Sequence, residues 1–273
     1  METFDSFFVS YIITQNPSMS ETWRVVLVAA CIIASAAIAY LLGSVNTAIL
    51  LSKVFYKDDI RQHGSGNGGM TNMLRTYGKG MAALTFAGDM LKCAIAMIIG
   101  WLLLGVDGMD IAGLFCVIGH VFPCWFKFVG GKGMAVTIMV MLMTSWPVAL
   151  ILMTIFLVIV LGTKYMSLAS IMVSLMYPVL LDSWNKMGFV AGDKQHNVLF
   201  AVLITVIVVV MHRKNIKRLI DKTESKVSLG KKKKQAEQEA EDAEAEAVVE
   251  DNKPMTASYR RQLNKKNKKG NKK

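Results

Sequence analysis

Three short polar stretches in an otherwise apolar chain carry residues suited to holding phosphate. The first is Gly64-Ser65-Gly66-Asn67-Gly68-Gly69-Met70-Thr71-Asn72, with Arg75 three residues further on. Glycines let backbone amides turn toward an anion, and Ser, Thr and Asn add neutral donors around it. An arginine at the rim supplies a two-pronged guanidinium. Gly64–Gly69 also satisfies G-x-G-x-x-G. A dinucleotide site, however, needs a preceding strand inside a βαβ unit, and an apolar run of membrane-helix character precedes it here. No G-x-x-x-x-G-K-[ST] occurs, which disfavours nucleotide hydrolysis. A flexible connector needs glycines, but not Ser, two Asn, Thr and Arg at once.

The second stretch is Gly119-His120-Val121-Phe122-Pro123 followed by Lys127-Phe128-Val129-Gly130-Gly131-Lys132-Gly133. Glycines around a lysine at a helix N-terminus predict another anion cradle. A lysine that only snorkels to the interface does not require three glycines crowding it. The third stretch is His212-Arg213-Lys214-Asn215-Ile216-Lys217-Arg218, where the last apolar run ends. A basic membrane anchor explains its Lys and Arg residues but not His212 and Asn215, which share a helical face at i,i+3. Inside the apolar runs, Asp89 and Lys92 are also i,i+3 and are expected to pair, lowering each other's membrane cost and supporting the site. Ser170 lies near the end of another run, where back-bonding to the helix accounts for a serine by itself. The polar face has no carboxylate cluster, so no metal is expected, and no cofactor is implied.

Seven apolar runs must position these residues: about 25–51, 81–104, 109–126, 134–145, 147–161, 166–181 and 197–211. With 53% hydrophobic residues among 273, the composition excludes a soluble enzyme, a disulfide scaffold and a disordered body. The fourth and fifth runs fall short of the ~20 residues of a usual span, and Trp146-Pro147 between them fits either a kink or a tight interfacial turn. Charge placement favours the turn. With seven spans, Lys53, Lys57, Arg61, Arg75, Lys79, Lys127, Lys132, Lys164, Arg213, Lys214, Lys217 and Arg218 share one side. The other side keeps Arg24, Lys186 and Lys194 among Glu21, Asp107, Asp110, Asp182 and Asp193. The positive-inside rule puts the basic side in the cytoplasm and the N-terminus outside. The expected fold is therefore an all-α integral membrane protein of seven transmembrane helices (25–220) with a cytoplasmic-side active site. It follows an extracytoplasmic segment, 1–24.

The remainder, 221–273, holds 15 Lys/Arg against 10 Asp/Glu and few large apolar side chains. Such a charged tail is expected to be disordered or loosely helical, with Lys231–Lys234 suited to anionic lipid. Cys31, Cys93, Cys116 and Cys124 show neither C-x-x-C nor metal spacing and read as small buried hydrophobes. The patch Phe7–Ile13 lacks a basic segment before it, so a cleaved signal peptide is not expected.

Taken together and in order, Gly64–Arg75 with Gly78, Gly119–Gly133 and His212–Arg218 with Thr223-Glu224 closely resemble the bacterial acyl-phosphate-dependent glycerol-3-phosphate acyltransferases, over about residues 25–226. The resemblance implies a seven-span enzyme of the bacterial cytoplasmic membrane. It would move an acyl chain from acyl phosphate to the first-position hydroxyl of glycerol 3-phosphate, giving lysophosphatidic acid and phosphate for phospholipid synthesis. Its partners would be those two substrates and membrane lipid, with no nucleic acid. Carried over, Ser65, Lys132, His212 and Asn215 would be catalytic. Arg75, Ser170, Asn67, Thr71 and Asn72, with the backbone at Gly66 and Gly131, would bind substrate. Asp89, Lys92 and His120 would support them. Two departures stand out: Met70 puts a bulky side chain where the family has a small one, and Lys222 replaces the usual glycine before Thr223-Glu224, which leaves the role of Glu224 open.

Acyl phosphate is already an activated mixed anhydride, so no acyl-enzyme is required. No Ser-His-Asp arrangement is evident, and no His-x-x-x-x-Asp occurs: His63 leads to Gly68, His120 to Trp125 and His212 to Lys217. Direct attack by the substrate hydroxyl is expected, with either His212 or a substrate phosphate oxygen taking the proton. The rival reading is a transporter or channel for an organic phosphate, whose cations should line a path through the bilayer.

Overall fold

A computed structural model describes residues 7–187 and 198–227. These are helical, with no strand among them: α1 (Phe7–Gln15), α2 (Glu21–Ser44), α3 (Thr47–Tyr56), α4 (Met70–Thr76), α5 (Gly78–Val121), α6 (Met134–Thr144), α7 (Trp146–Thr163), α8 (Met166–Lys186), α9 (Val198–Met211) and α10 (Arg213–Ile220). The expected loop charges Asp193 and Lys194, the first six residues and the tail beyond residue 227 lie outside the described residues.

The apolar run 25–51, read as one span, is two helices. Val45 and Asn46 adopt extended backbone angles, and Asn46 Oδ1 accepts the Ile49 amide at 3.0 Å to cap α3. Asparagine competes for backbone hydrogen bonds and so favours a cap over a helix interior. The runs 81–104 and 109–126 join in one element, but Gly105 has φ 66° and ψ −142°, a conformation costly to any residue with a Cβ. There the chain reverses. Gly100 and Gly108 lie eight residues apart, about 12 Å along a straight helix, yet a Cβ on either would collide with the other's carbonyl. Small residues also set the contact of α2 with the returning arm, since a Cβ on Gly43 would meet the Cys116 carbonyl and one on Gly119 the Tyr40 carbonyl. Close backbone approach of this kind is how helices associate where lipid removes the hydrophobic drive.

The break expected at Trp146-Pro147 falls at Ser145, with Pro147 in the first turn of α7, where its missing N–H is harmless. Among the described residues four helical segments are long and apolar enough to cross a membrane, and a fifth if α9 and α10 count as one span bent by 57°. At 11 residues α6 is shorter. The arrangement is inverted relative to a water-soluble protein: Ile33, Leu91, Val158 and Val179 are exposed while Asp89 and Lys92 are buried. The protein is an integral membrane protein.

Candidate active site

At one end of the bundle, the three polar stretches meet around a cavity of about 310 Å³. Its wall includes Ser65, Asn67, Thr71, Asn72, Arg75, Asp89, His120, Lys132, Ser170, His212 and Asn215, and its apolar side is Phe86, Ile138, Met153 and Phe156. Gly66, Gly131 and Lys92 stand behind the wall.

The first loop is shaped by Asn72. Its Oδ1 accepts the Ser65 amide at 3.0 Å, and its Nδ2 donates to the carbonyls of Ile60, His63 and Asn67 at 2.9–3.1 Å. Both polar atoms of its amide thus bond to the loop, so Asn72 clamps it while also lining the cavity. Gly64 and Gly66 take positive φ of 55° and 72°, and Gly66 serves the turn from outside the cavity. The loop leaves Ser65, Asn67 and Thr71 on the wall and leads into α4, whose last turn presents Arg75. Arg75 is solvent-exposed and forms no ion pair or hydrogen bond among the described residues. Met70 also lines the cavity.

The second loop docks on the first. Gly68 N donates to Gly130 O at 3.4 Å, Gly131 N to His120 O at 3.2 Å, and Asn46 Nδ2 to Gly68 O at 3.0 Å. A Cβ on Gly131 would collide with the His120 imidazole and crowd Gly68 O; its role is close approach. Beneath lies the expected ion pair, Lys92 Nζ to Asp89 Oδ1 at 2.8 Å, extended by Thr47 Oγ1 donating to Asp89 at 3.0 Å and Lys92 donating to Val45 O at 2.7 Å.

The third stretch bends where α9 gives way to α10, with His212 at the junction. Its Nδ1 lies 2.8 Å from Val208 O. A carbonyl only accepts, so Nδ1 carries the proton and Nε2 keeps its lone pair. Burial, and to a smaller degree Lys132, pushes the His212 pKa down to about 4 against the opposing Val208 hydrogen bond, so the ring is neutral near pH 7. Lys132 Nζ donates to Asn215 Oδ1 at 2.5 Å. Burial lowers its pKa to about 8. Ser170 Oγ bonds back to Met166 O at 2.9 Å while facing the cavity.

Glu224, left open by the sequence, is the organising acid of this side. Its Oε1 accepts Asn215 Nδ2 at 2.6 Å and Ser167 Oγ at 2.8 Å, and its Oε2 accepts Arg218 Nε at 2.6 Å. Lys222 keeps the turn by taking φ 57° despite its Cβ, a strain of ~1–2 kcal/mol. Asn46 and Ser167 escaped the sequence reading. An asparagine three residues ahead of Ile49 was the signal for the first; nothing in the local pattern marked the second.

A family model described as glycerol-3-phosphate acyltransferase matches residues 31–222. The glycerol-3-phosphate acyltransferase of Nitrobacter winogradskyi is 44% identical over 191 residues, 70% of this chain and 93% of that one. That of Thermoanaerobacter pseudethanolicus is 42% identical over 195 residues, 71% and 94% of the two chains. A crystal structure of an integral membrane glycerol 3-phosphate acyltransferase in its glycerol 3-phosphate form superposes with a TM-score of 0.65 at 32% identity, covering 72% of this chain and 96% of that one. The same enzyme in a lysophosphatidic acid form gives 0.63 at 34% identity. The matched span contains all three cavity-forming stretches; on motif order, identity and fold alike, the chain belongs to the glycerol-3-phosphate acyltransferase family.

Proposed function

We propose that this protein transfers an acyl chain from acyl phosphate to the first-position hydroxyl of glycerol 3-phosphate, releasing lysophosphatidic acid and phosphate, the first acylation of phospholipid synthesis. The observation that carries the reading is one cavity whose rim is cationic and hydroxylated and whose inner side is Phe86, Ile138, Met153 and Phe156. Two phosphorylated head groups and an acyl chain require that pairing. Arg75 and Lys132 hold phosphate charge, Ser65, Asn67 and Thr71 donate around it, and Ser170 and Asn215 orient glycerol 3-phosphate.

Attack is direct, because the mixed anhydride needs no enzyme nucleophile. His212 Nε2 accepts the hydrogen bond of the attacking hydroxyl and aligns it. As the C–O bond forms and the anhydride C–O bond breaks, the proton moves to a phosphate oxygen. A phosphate monoester has its second ionisation near ~6, so it outcompetes an imidazole held near 4. Fixed donors serve the developing charge without reorganising.

Seven spans follow if the reversal at Gly105 separates two of them and α6 and α9 each count as one. The site then faces the cytoplasm of a bacterial inner membrane, with the N-terminus outside and the basic tail inside. A transporter would need its cations along a transverse path, and here they gather at one end. The decisive experiment uses purified protein in liposomes. Phosphate should leave acyl phosphate, and lysophosphatidic acid should form, only when glycerol 3-phosphate is added. Flux of glycerol 3-phosphate across the bilayer without that chemistry would refute the reading.

A further inference from the structure

The buried ammonium of Lys92 has three N–H bonds, and each has an acceptor: Val45 O at 2.7 Å, Asp89 Oδ1 at 2.8 Å and His120 Nδ1 at 3.1 Å. An ammonium only donates, so His120 Nδ1 must present its lone pair. The other candidate partner of Nδ1, Asp89 Oδ1, lies 3.5 Å away, beyond ordinary hydrogen-bond length. In the neutral imidazole the proton therefore sits on Nε2. That atom lies against Gly131, where a Cβ would displace it, and has no hydrogen-bond partner among the described residues. The ring is nearly inaccessible from outside and lines the cavity. Nε2 of His120, a buried residue that lines the cavity, is thus a donor fixed in tautomer and without a partner among the described residues.

Its neighbours decide what it serves. In the proposed function phosphate charge goes to Arg75 and Lys132 on the cavity wall, while Arg218 is paired with Glu224. His120 is instead backed by a group of no net charge, one carboxylate and one ammonium, and Asp89 Oδ2 is buried there without a partner among the described residues. A phosphate dianion gains little beside that carboxylate. A neutral carbonyl oxygen that becomes negative during attack gains from a neutral N–H whose charge does not have to reorganise. Phe86 lies three residues from Asp89 on the same helix and also lines the cavity, so the donor stands where polar rim meets apolar wall, the place for the first carbons of an acyl chain.

We propose that His120 Nε2–H is an oxyanion donor, hydrogen-bonding the acyl carbonyl oxygen of acyl phosphate, with Asp89 and Lys92 as the positioning residues that fix its tautomer. The proposal rests on acyl phosphate as the acyl donor. As the substrate hydroxyl adds to the carbonyl carbon, the C=O π pair moves onto oxygen and is held by this N–H. When the pair returns, the bond to phosphate breaks and the leaving phosphate keeps its electrons; His120 gains and loses no proton.

The test is infrared difference spectroscopy on the full-length protein in liposomes, using an acyl phosphate analogue in which CH2 replaces the bridging oxygen and the carbonyl carries carbon-13. In wild type the labelled band should lie below its position in an aprotic solvent. In H120F it should return toward that position while the analogue still binds. H120Q, which retains an amide donor, should keep part of the shift. In turnover, H120F should lose on the order of 10²–10³ in kcat with KM for glycerol 3-phosphate within a few-fold, a split that a general loss of structure would not give. An unshifted wild-type band with the analogue bound overturns the assignment even if no variant folds. Failure of the analogue to bind or compete overturns acyl phosphate as donor, and the assignment with it.

Discussion

Lys132 tests whether phosphate is gripped where the two glycine loops dock. Burial pushes its pKa down to about 8; Glu224 pulls it up, and Arg218 and Arg75 add to the fall. Only the ammonium form attracts a phosphate dianion, so binding is favoured below that pKa and lost above it. The pH dependence of kcat/KM reports ionisations of the free enzyme. For a pKa near 8, roughly nine-tenths of Lys132 is charged at pH 7 and one-tenth at pH 9. The value of kcat/KM for glycerol 3-phosphate should therefore fall about tenfold over that interval, and about tenfold per unit beyond. At saturating glycerol 3-phosphate kcat should fall less, because the bound dianion raises the amine's pKa again. The assay is initial-rate lysophosphatidic acid formation in proteoliposomes at fixed acyl phosphate, in overlapping buffers of constant ionic strength. The K132R variant supplies the control: a guanidinium stays charged throughout, so its profile should lose the alkaline limb whatever its absolute rate. A wild-type profile flat to pH 10, or the same limb in K132R, would refute the placement of Lys132 at phosphate.

Arg75→Ala should raise KM for glycerol 3-phosphate by ten- to a hundredfold, about 1.5–3 kcal/mol for a charged hydrogen bond; the guanidinium is exposed, which argues against a larger loss, and an unchanged KM would remove it from the phosphate site. His212→Gln retains an acceptor and should keep kcat within about tenfold of wild type, whereas a loss of ~10³ would return the proton to the imidazole. Glu224→Gln should destabilise the protein by about 1–3 kcal/mol, read as a lower melting temperature in detergent. The same carboxylate's pKa is lowered, burial opposing the hydrogen bonds from Arg218, Asn215 and Ser167 that bring it down, so its stabilisation is present above the ordinary glutamate range and lost as pH falls through the lowered value. Gly43→Val drives a side chain into the Cys116 carbonyl and should cost about 1–3 kcal/mol by overpacking; an unchanged melting temperature would mean that α2 and the returning arm of α5 are not held so close.

The parts of this protein legible in the sequence are those where one residue type answers one local need. Glycines mark the loops because positive φ and close approach exclude a Cβ, and the pairing of Asp89 with Lys92 follows from the cost of a lone charge in lipid. The reversal at Gly105 is placed by the gap between two apolar runs. What stays hidden is what depends on distance along the chain. Asn72 looks like a ligand among ligands; only the fold reveals that its amide is committed to four backbone groups. Glu224 sits past the last helix beside an unsuitable-looking Lys222, yet it accepts from Asn215, Arg218 and the distant Ser167. Asn46 lies in an apolar run, where its short-range role is a helix cap and its long-range role is to hold Gly68 O. That second bond ties the α2–α3 break, fixed below by Lys92 at Val45 O, to the loop that carries Ser65. The buried ion pair and the glycine loop are thus joined by a continuous run of hydrogen bonds through Val45 and Asn46.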